Sequence, residues 1–494
     1  MFELKNVKRC NIWTNYHCKK VQNMITYKLQ KGAIYGDNME RKYLKYLIDW
    51  MNDEDKKPLL ITGARQVGKT YLIKDIFAEN YYKDKYLRID CSDDEEFVNY
   101  VYKNNNLKKV IDYITVNYDF TLDKDHLLII DEAQECLPII KMMKHFCEQR
   151  RDIPLIVTGS LVRIKIKRET KKRGGFAQNK SFLFPVGKIN QIYMYPMTFD
   201  EFLLNYNRNA FNYIKEHFEK KIPIDKDMHD KFIDIFNEYL LVGGMPEVVN
   251  VYLKNKENKL QALKKAYSKI KEIYDDYLDD MQLYQASNES IIRSRLIFQD
   301  IFKQLNKENK NFKFSEVESG SKGRDMINPI GWLTTANIVY QSFLLKEKIT
   351  LPLIKDNDSL TRLYLSDMGM FTYQSGLNAI TFITGKDNVL SGIYYENYVA
   401  IELVSRDIKL FYWKGKRDSE LEFIINVDEN VIHIDAKKKK GSLSSLEEFR
   451  NHNKKNVAIK ISENQYGYDE NNMILTIPYY YLAFYLNDLK INLE

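Results

Sequence analysis

Residues 58–74 read PLLITGARQVGKTYLIK. A short apolar strand runs into a glycine-containing loop, and a helical stretch follows. Inside it, Gly63-Ala64-Arg65-Gln66-Val67-Gly68-Lys69-Thr70 has the spacing G-x-x-x-x-G-K-[ST]. Each residue type has a chemical reason. Gly63 and Gly68 let the backbone bend, so that successive N–H groups face one anion. The helix from Tyr71 presents its N-terminus to the same anion. Lys69 supplies a point charge for β- and γ-phosphates, and Thr70 a hydroxyl for Mg2+. The competing reading is a chance glycine turn. The strand before the loop and the helix after it are the context a phosphate cradle needs.

Outward from the loop, Leu127-Leu128-Ile129-Ile130-Asp131-Glu132 is a second decisive stretch. A buried strand delivers two carboxylates at its C-terminal end, where open α/β sheets bind ligands. Asp131 is expected to hold Mg2+ through its water shell, and Glu132 to orient and deprotonate an attacking water. Alone, this would read as a strand ending in an acidic turn. Thr158-Gly159-Ser160 ends a further strand, PLIVTGS (154–160). Thr158 and Ser160 either sense a γ-phosphate or form a turn or helix cap. YLRID (86–90) is another strand, and DEEFVNYVYKN, LKKVIDYIT and LPIIKMMKHFCEQR (137–150) have helical spacing. Strand–helix alternation with fully apolar strands predicts a parallel sheet covered on both faces.

The chain has 494 residues, 44% apolar and 29% charged, enough for several buried cores. A net charge of +7 permits a nucleic-acid partner without arguing for one. Five cysteines without a paired CxxC spacing exclude a disulfide scaffold and give Cys10 and Cys18 no metal-ligand pattern. No apolar stretch is long enough to span a bilayer, and the N-terminus lacks an apolar signal core, so a cytoplasmic protein is expected. The Tyr479–Leu486 run reads as one buried face of a terminal helix.

From these residues onward the chain resembles the AAA-type P-loop ATPases of bacteria and archaea that carry a C-terminal domain of unknown function. The segments that resemble the family include LLIIDEAQE, FPVGKINQIYMYPMTFDEFL, YLLVGGMPEVV, LYLSDMGMF and GIYYENYVAIEL, over about Asn38 to Ile461. The resemblance implies ATP and Mg2+, with Gly63, Gly68, Lys69, Thr70, Asp131 and Glu132 as nucleotide residues. It also implies an α/β fold: a P-loop AAA-type parallel sheet with a helical lid, a winged-helix-like unit and a C-terminal α/β nuclease-like domain. The expected division is an extension (1–36), the ATPase core (37–205), the lid (206–285), the winged-helix-like segment (286–370) and the C-terminal domain (371–494). Arg163, just before the basic loop 165–180, and Arg168 and Arg173 within it are arginine-finger candidates by position only.

The last region carries a second constellation. In SELEFIINVDENVIHIDAKKKK (419–440), a hairpin brings Glu422 near Asp435-Ala436-Lys437. Asp435 and Lys437 are two apart and share a strand face. Glu396 lies upstream on a helix. Carboxylates beside a lysine can bind Mg2+ and polarise a water for phosphodiester hydrolysis. The set Glu396, Glu422, Asp435 and Lys437 resembles a restriction-endonuclease-like core. Related members carry E-I-D-F and E-V-K where this chain has Glu420-Leu421-Glu422-Phe423 and Asp435-Ala436-Lys437.

Three functions suit these residues. One is an Mg2+-dependent ATPase moving its C-terminal half. The second is an ATP-gated DNA nuclease. The third is a slow switch whose degenerate nuclease fold binds DNA or a protein partner. Lys322 and Arg324, in SKGRDMINPIGWL (321–333), are the candidates for meeting DNA phosphates. AAA-type proteins often assemble into oligomers, but nothing in this chain sets a symmetry.

Overall fold

The computed structural model describes residues 39–160, 162, 184–284, 287–321, 323–356, 360–377, 381–382, 392–416, 419–427, 430–436, 444–453 and 456–491. The N-terminal extension, Cys10, Cys18, the loop 165–180, Arg163, Arg168, Arg173, Lys322 and Lys437 lie outside them. Residues Arg41–Glu494 form one unit.

Its first sheet is parallel throughout. The strands are β1 (Leu59–Gly63), β2 (Tyr86–Asp90), β3 (Leu127–Asp131), β4 (Leu155–Gly159) and β5 (Asn190–Met194), in the order β2-β3-β4-β1-β5. β1, β3 and β4 are buried at every position, as their continuous apolar runs require for a sheet covered on both faces. Burying a Leu, Ile or Val side chain stabilises by roughly 1.5–3 kcal/mol, so these three strands anchor the core. The register sets Thr62 opposite Gly159 and Ile130 opposite Val157, so the C-terminal ends of β1, β3 and β4 lie within about a residue of one another. The functional loops therefore leave from one edge of the sheet. β5 is the strand that apolar patterning misses. It is an edge strand with polar Asn190 and Gln191, and only Met194 is buried.

Helices follow: α1 (Phe199–Tyr206), α2 (Lys226–Val242), α3 (Pro246–Lys254), α4 (Lys259–Tyr284), α5 (Asn288–Leu305), α6 (Gly323–Thr335), α7 (Met368–Ser375) and α8 (Gly392–Val404). Thr198 caps α1 through a capping box with Glu201. Pro246 opens α3, where a missing N–H costs nothing.

β6 (Val339–Leu344) and β7 (Thr361–Leu365) are antiparallel. β8 (Phe411–Lys414) pairs parallel with β6, and β9 (Glu420–Leu421) pairs antiparallel with β8. The stretch read as a winged-helix-like segment ending at 370 thus shares a four-stranded sheet, β7-β6-β8-β9, with residues beyond it.

A third sheet holds β10 (Phe423–Val427), β11 (Asn430–Ala436), β12 (Ala458–Ser462), β13 (Gly467–Asp469) and β14 (Ile474–Pro478), ordered β10-β11-β12-β14-β13. The expected hairpin is β10–β11, with Phe423 opposite Ile434. The Tyr479–Leu486 run differs from its reading as one buried face. Tyr479, Tyr480, Tyr481, Leu482, Ala483, Phe484 and Leu486 are all buried, because the run packs against several elements at once. Tyr479 stacks on Phe236 and Tyr395, with interplanar angles of 7° in both cases. Among the described residues no helix is long and apolar enough to cross a membrane.

Candidate active site

The glycine loop sits where β1 ends, and its backbone conformation explains its residues. Gly68 has φ 83°, which a side chain would strain. Gln66 adopts φ 61° at the apex of the loop. Arg41 is buried and braces the loop from behind. It donates to the carbonyl oxygens of Val67 (2.7 Å) and Tyr195 (2.7 Å) and pairs with Glu201 at 2.9 Å.

Lys69 folds onto the loop itself, donating to the carbonyl oxygens of Gly63 (3.2 Å) and Ala64 (2.8 Å). Burial lowers its pKa to about 8, against the opposing pull of Glu132 and Asp131. Thr70 Oγ1 donates to Asp131 Oδ2 at 2.8 Å. Thr158 donates to Asp131 Oδ1, so β4, which lies between β1 and β3, orients the carboxylate from its other side.

Burial alone would raise the Asp131 pKa. Hydrogen bonds from Thr158, Arg88 and Thr70 outweigh it and hold the carboxyl below its usual range. Glu132 adopts φ 47°, a conformation costly for a non-glycine residue and frequent at functional sites. Its carboxylate is held by the amide of Gln134. The Ser160 hydroxyl is buried without a hydrogen-bond partner among the described residues.

All the expected nucleotide residues therefore meet on one edge of the sheet. The donor set fits a magnesium–nucleotide. Hydroxyl and carboxylate oxygens converge at Thr70 and Asp131, an ammonium lies against the loop, and Ser160 offers an orphaned hydroxyl. Patterning missed Arg88, which reaches Asp131 Oδ2 at 2.8 Å, and Arg41. Arg88 and Asp90 are two apart on β2 and so point one way, a signal readable only once β2 is known to neighbour β3.

Helix α4 clasps the outer side of the loop, which sequence reading also missed. Asp280 forms an ion pair with Arg65, Gln66 donates to Asp276 at 2.6 Å, and Tyr277 donates to the Arg65 carbonyl oxygen at 2.8 Å. Ala64, Arg65, Gln66 and Val67 thus serve the loop through backbone and bracing rather than through a shared side-chain chemistry. Gly244 shows how tightly the segment before α3 is seated. A Cβ there would overlap the Met197 carbonyl oxygen. The Gly244 N–H donates to Asp367 Oδ2 at 2.6 Å.

The carboxylates of the C-terminal constellation also come together, though on cations of the chain. Glu396 pairs with Lys310 and lies 3.5 Å from Arg362, and it accepts from Tyr364 at 2.7 Å. Glu422 lies 3.3 Å from Lys310 and accepts the Ala436 N–H at 2.9 Å. Among the described residues, no group of three or more His, Cys, Asp or Glu side chains is arranged to hold a metal ion. The donor set here does not fit the metal that a restriction-endonuclease-like core implies. Lys310 lies against both Glu396 and Glu422, and Arg362 lies 3.5 Å from Glu396, so cations of the chain already counter these two carboxylates.

Comparison with known protein families finds three matching segments. An AAA domain matches residues 55–203. Two domains of unknown function match residues 233–381 and 391–480. No curated protein matches the chain. Among solved structures, a Walker-type ATPase of Pyrococcus abyssi is similar at 14% identity and a TM-score of 0.42, covering 69% of this chain and 96% of that one. A DNA replication initiation factor is similar at 14% identity and a TM-score of 0.23, covering 62% of this chain and 81% of that one. At such scores neither likeness bears on the fold or function of this chain.

Proposed function

Starting from an AAA-type P-loop domain over residues 55–203, we propose that this chain binds ATP with Mg2+, hydrolyses it, and uses the nucleotide state to act on its C-terminal half. The observation that supports this best is the convergence of Thr70, Thr158 and Arg88 on Asp131 beside the glycine loop.

Backbone N–H groups of the loop would bind the phosphates, and Lys69 would add charge at the β- and γ-phosphates. Mg2+, held by Thr70 and Asp131, would draw off negative charge from the phosphate oxygens. Glu132 accepts a proton from the attacking water at its carboxylate. The water oxygen bonds to the γ-phosphorus as the bond to the bridging oxygen breaks, and ADP leaves. Gln134 holds Glu132, Thr158 holds Asp131, and Ser160 is the candidate sensor of the γ-phosphate. The arginine finger is left to residues outside this set.

Coupling is proposed to run through the clasp. α4 grips the loop through Asp276, Tyr277 and Asp280, and it packs on α5 and α7. The lid (206–285), the winged-helix-like segment (286–370) and the C-terminal domain (371–494) would respond to it, in a cytoplasmic protein. Their partner is DNA or another protein. Arg324, exposed near the start of α6, is the described cation for a phosphate backbone.

Replacement of Lys69 by Ala should abolish ATP binding. Glu132→Gln should retain binding and lose about 100-fold or more in turnover. Isothermal calorimetry and phosphate release measure the two, and full turnover in purified Glu132→Gln protein contradicts the role of Glu132. Stimulation of turnover by DNA would identify DNA as the partner.

A further inference from the structure

The C-terminal carboxylates sit deep in the fold. Glu396 and Glu422 are buried, and Glu420 is largely so. They come from three places: α8, β9, and the residue between β9 and β10. Two cations enter the same space from outside the C-terminal domain as the sequence divides it. Lys310 comes from the connection after α5, and Arg362 from β7.

Lys310 Nζ pairs with Glu396 Oε2 and lies 3.3 Å from Glu422 Oε1 and 3.9 Å from Glu420 Oε1. The fully buried Arg362 guanidinium is 2.5 Å from Glu420 Oε2 and 3.5 Å from Glu396 Oε1. It also lies over the Tyr412 ring, 4.1 Å from the centroid. The remaining acceptor positions have their own donors. Tyr364 OH serves Glu396 Oε1, and the Ala436 N–H serves Glu422 Oε2.

A divalent ion needs several oxygens free to approach it at about 2.0–2.6 Å. Here both oxygens of Glu396 and both of Glu422 are engaged by the chain. The ammonium of Lys310 faces three carboxylates at once. With Lys414 Nζ 3.7 Å from Glu420 Oε2, three carboxylates face three cations and leave little net charge to attract another ion. A buried charge is tolerated when it is paired, and removing one partner leaves the other uncompensated.

We propose that Lys310 is a built-in counter-ion that stands in for a divalent metal and keeps the Glu396–Glu420–Glu422 centre closed to it. The centre is then an ion-pair lock between the connection after α5 and the C-terminal strands. It is not a hydrolytic site. The lock stands independently of the ATP reading, since none of its residues touches the glycine loop.

The test is Mn2+ binding to the full chain without nucleotide, followed by the loss of the free-ion paramagnetic resonance signal. Wild type and Glu422→Gln should bind Mn2+ equally, because this centre contributes nothing to either. Lys310→Met should gain one Mn2+ site that the wild type lacks. The site should vanish in Lys310→Met combined with Glu422→Gln. Should Lys310→Met not fold, as judged by circular dichroism, Lys310→Gln keeps the reach, removes the charge and serves in its place. Mn2+ uptake by the wild type that Glu422→Gln removes would overturn the proposal. So would a folded Lys310 variant that gains no site.

Discussion

Lys69 lies against the carbonyl oxygens of Gly63 and Ala64, with burial lowering its pKa to about 8. Above that pH its amine is mostly neutral. A polyphosphate beside it favours the charged form and returns the pKa upward, so nucleotide binding should draw a proton from solution. Near pH 8.5 the uptake should be roughly three quarters of a proton, falling close to zero near pH 7. Calorimetry in two buffers of different protonation enthalpy reads it, and an uptake that does not change with pH would refute the assignment. At this scale the glycine loop was legible, because phosphate chemistry fixes both residue type and spacing. Arg41, Arg88 and Lys310 were not. Each acts on a residue far away in sequence, through contacts that no local pattern encodes.

Among the elements, the junction between α2 and α3 is the most constrained. Asp367 caps α7 through Met370 and also accepts the Gly244 N–H, so one carboxylate ties two helical segments together. Burial raises its pKa to about 6, despite backbone donors from Gly244, Met370, Gly369 and Met245. The folded state therefore holds this proton more tightly than the unfolded chain, where the value is 3.8. The stability this group contributes is present in full below about pH 4 and is lost as the pH rises through about 6, roughly 3 kcal/mol in all. Urea denaturation of wild type and Asp367→Asn between about pH 4.5 and 7.5 checks this. The gap should move in favour of the variant as pH rises, and a constant gap would contradict it. The strands β1, β3 and β4 were readable from their apolar runs. β5 was not, because an edge strand carries polar residues like those of a loop. The clasp by α4 was hidden for another reason, since Asp276 and Asp280 look like solvent-facing acids of a long helix.

For the molecule as a whole, Arg41–Glu494 is one unit, held across its length by the Arg41 brace, the α4 clasp and the Lys310 pairs. Scanning calorimetry should therefore give a single transition for this unit. ATP with Mg2+ at about a hundredfold above Kd should move all of it upward, by a free energy of about 2.7 kcal/mol. Two transitions, only one of them responsive, would show that the residues beyond the glycine-loop sheet melt apart from it. The sharing of one sheet across position 370 was not legible in the sequence, since β6 and β8 are 68 positions apart at their paired residues Leu344 and Tyr412 and nothing local marks them as partners. That shared sheet has an evolutionary corollary. A gene broken near codon 370 would hand each product a raw, unpaired strand border, an invitation to aggregate. Replacing either stretch with a foreign module would leave the seam strand without its native neighbour.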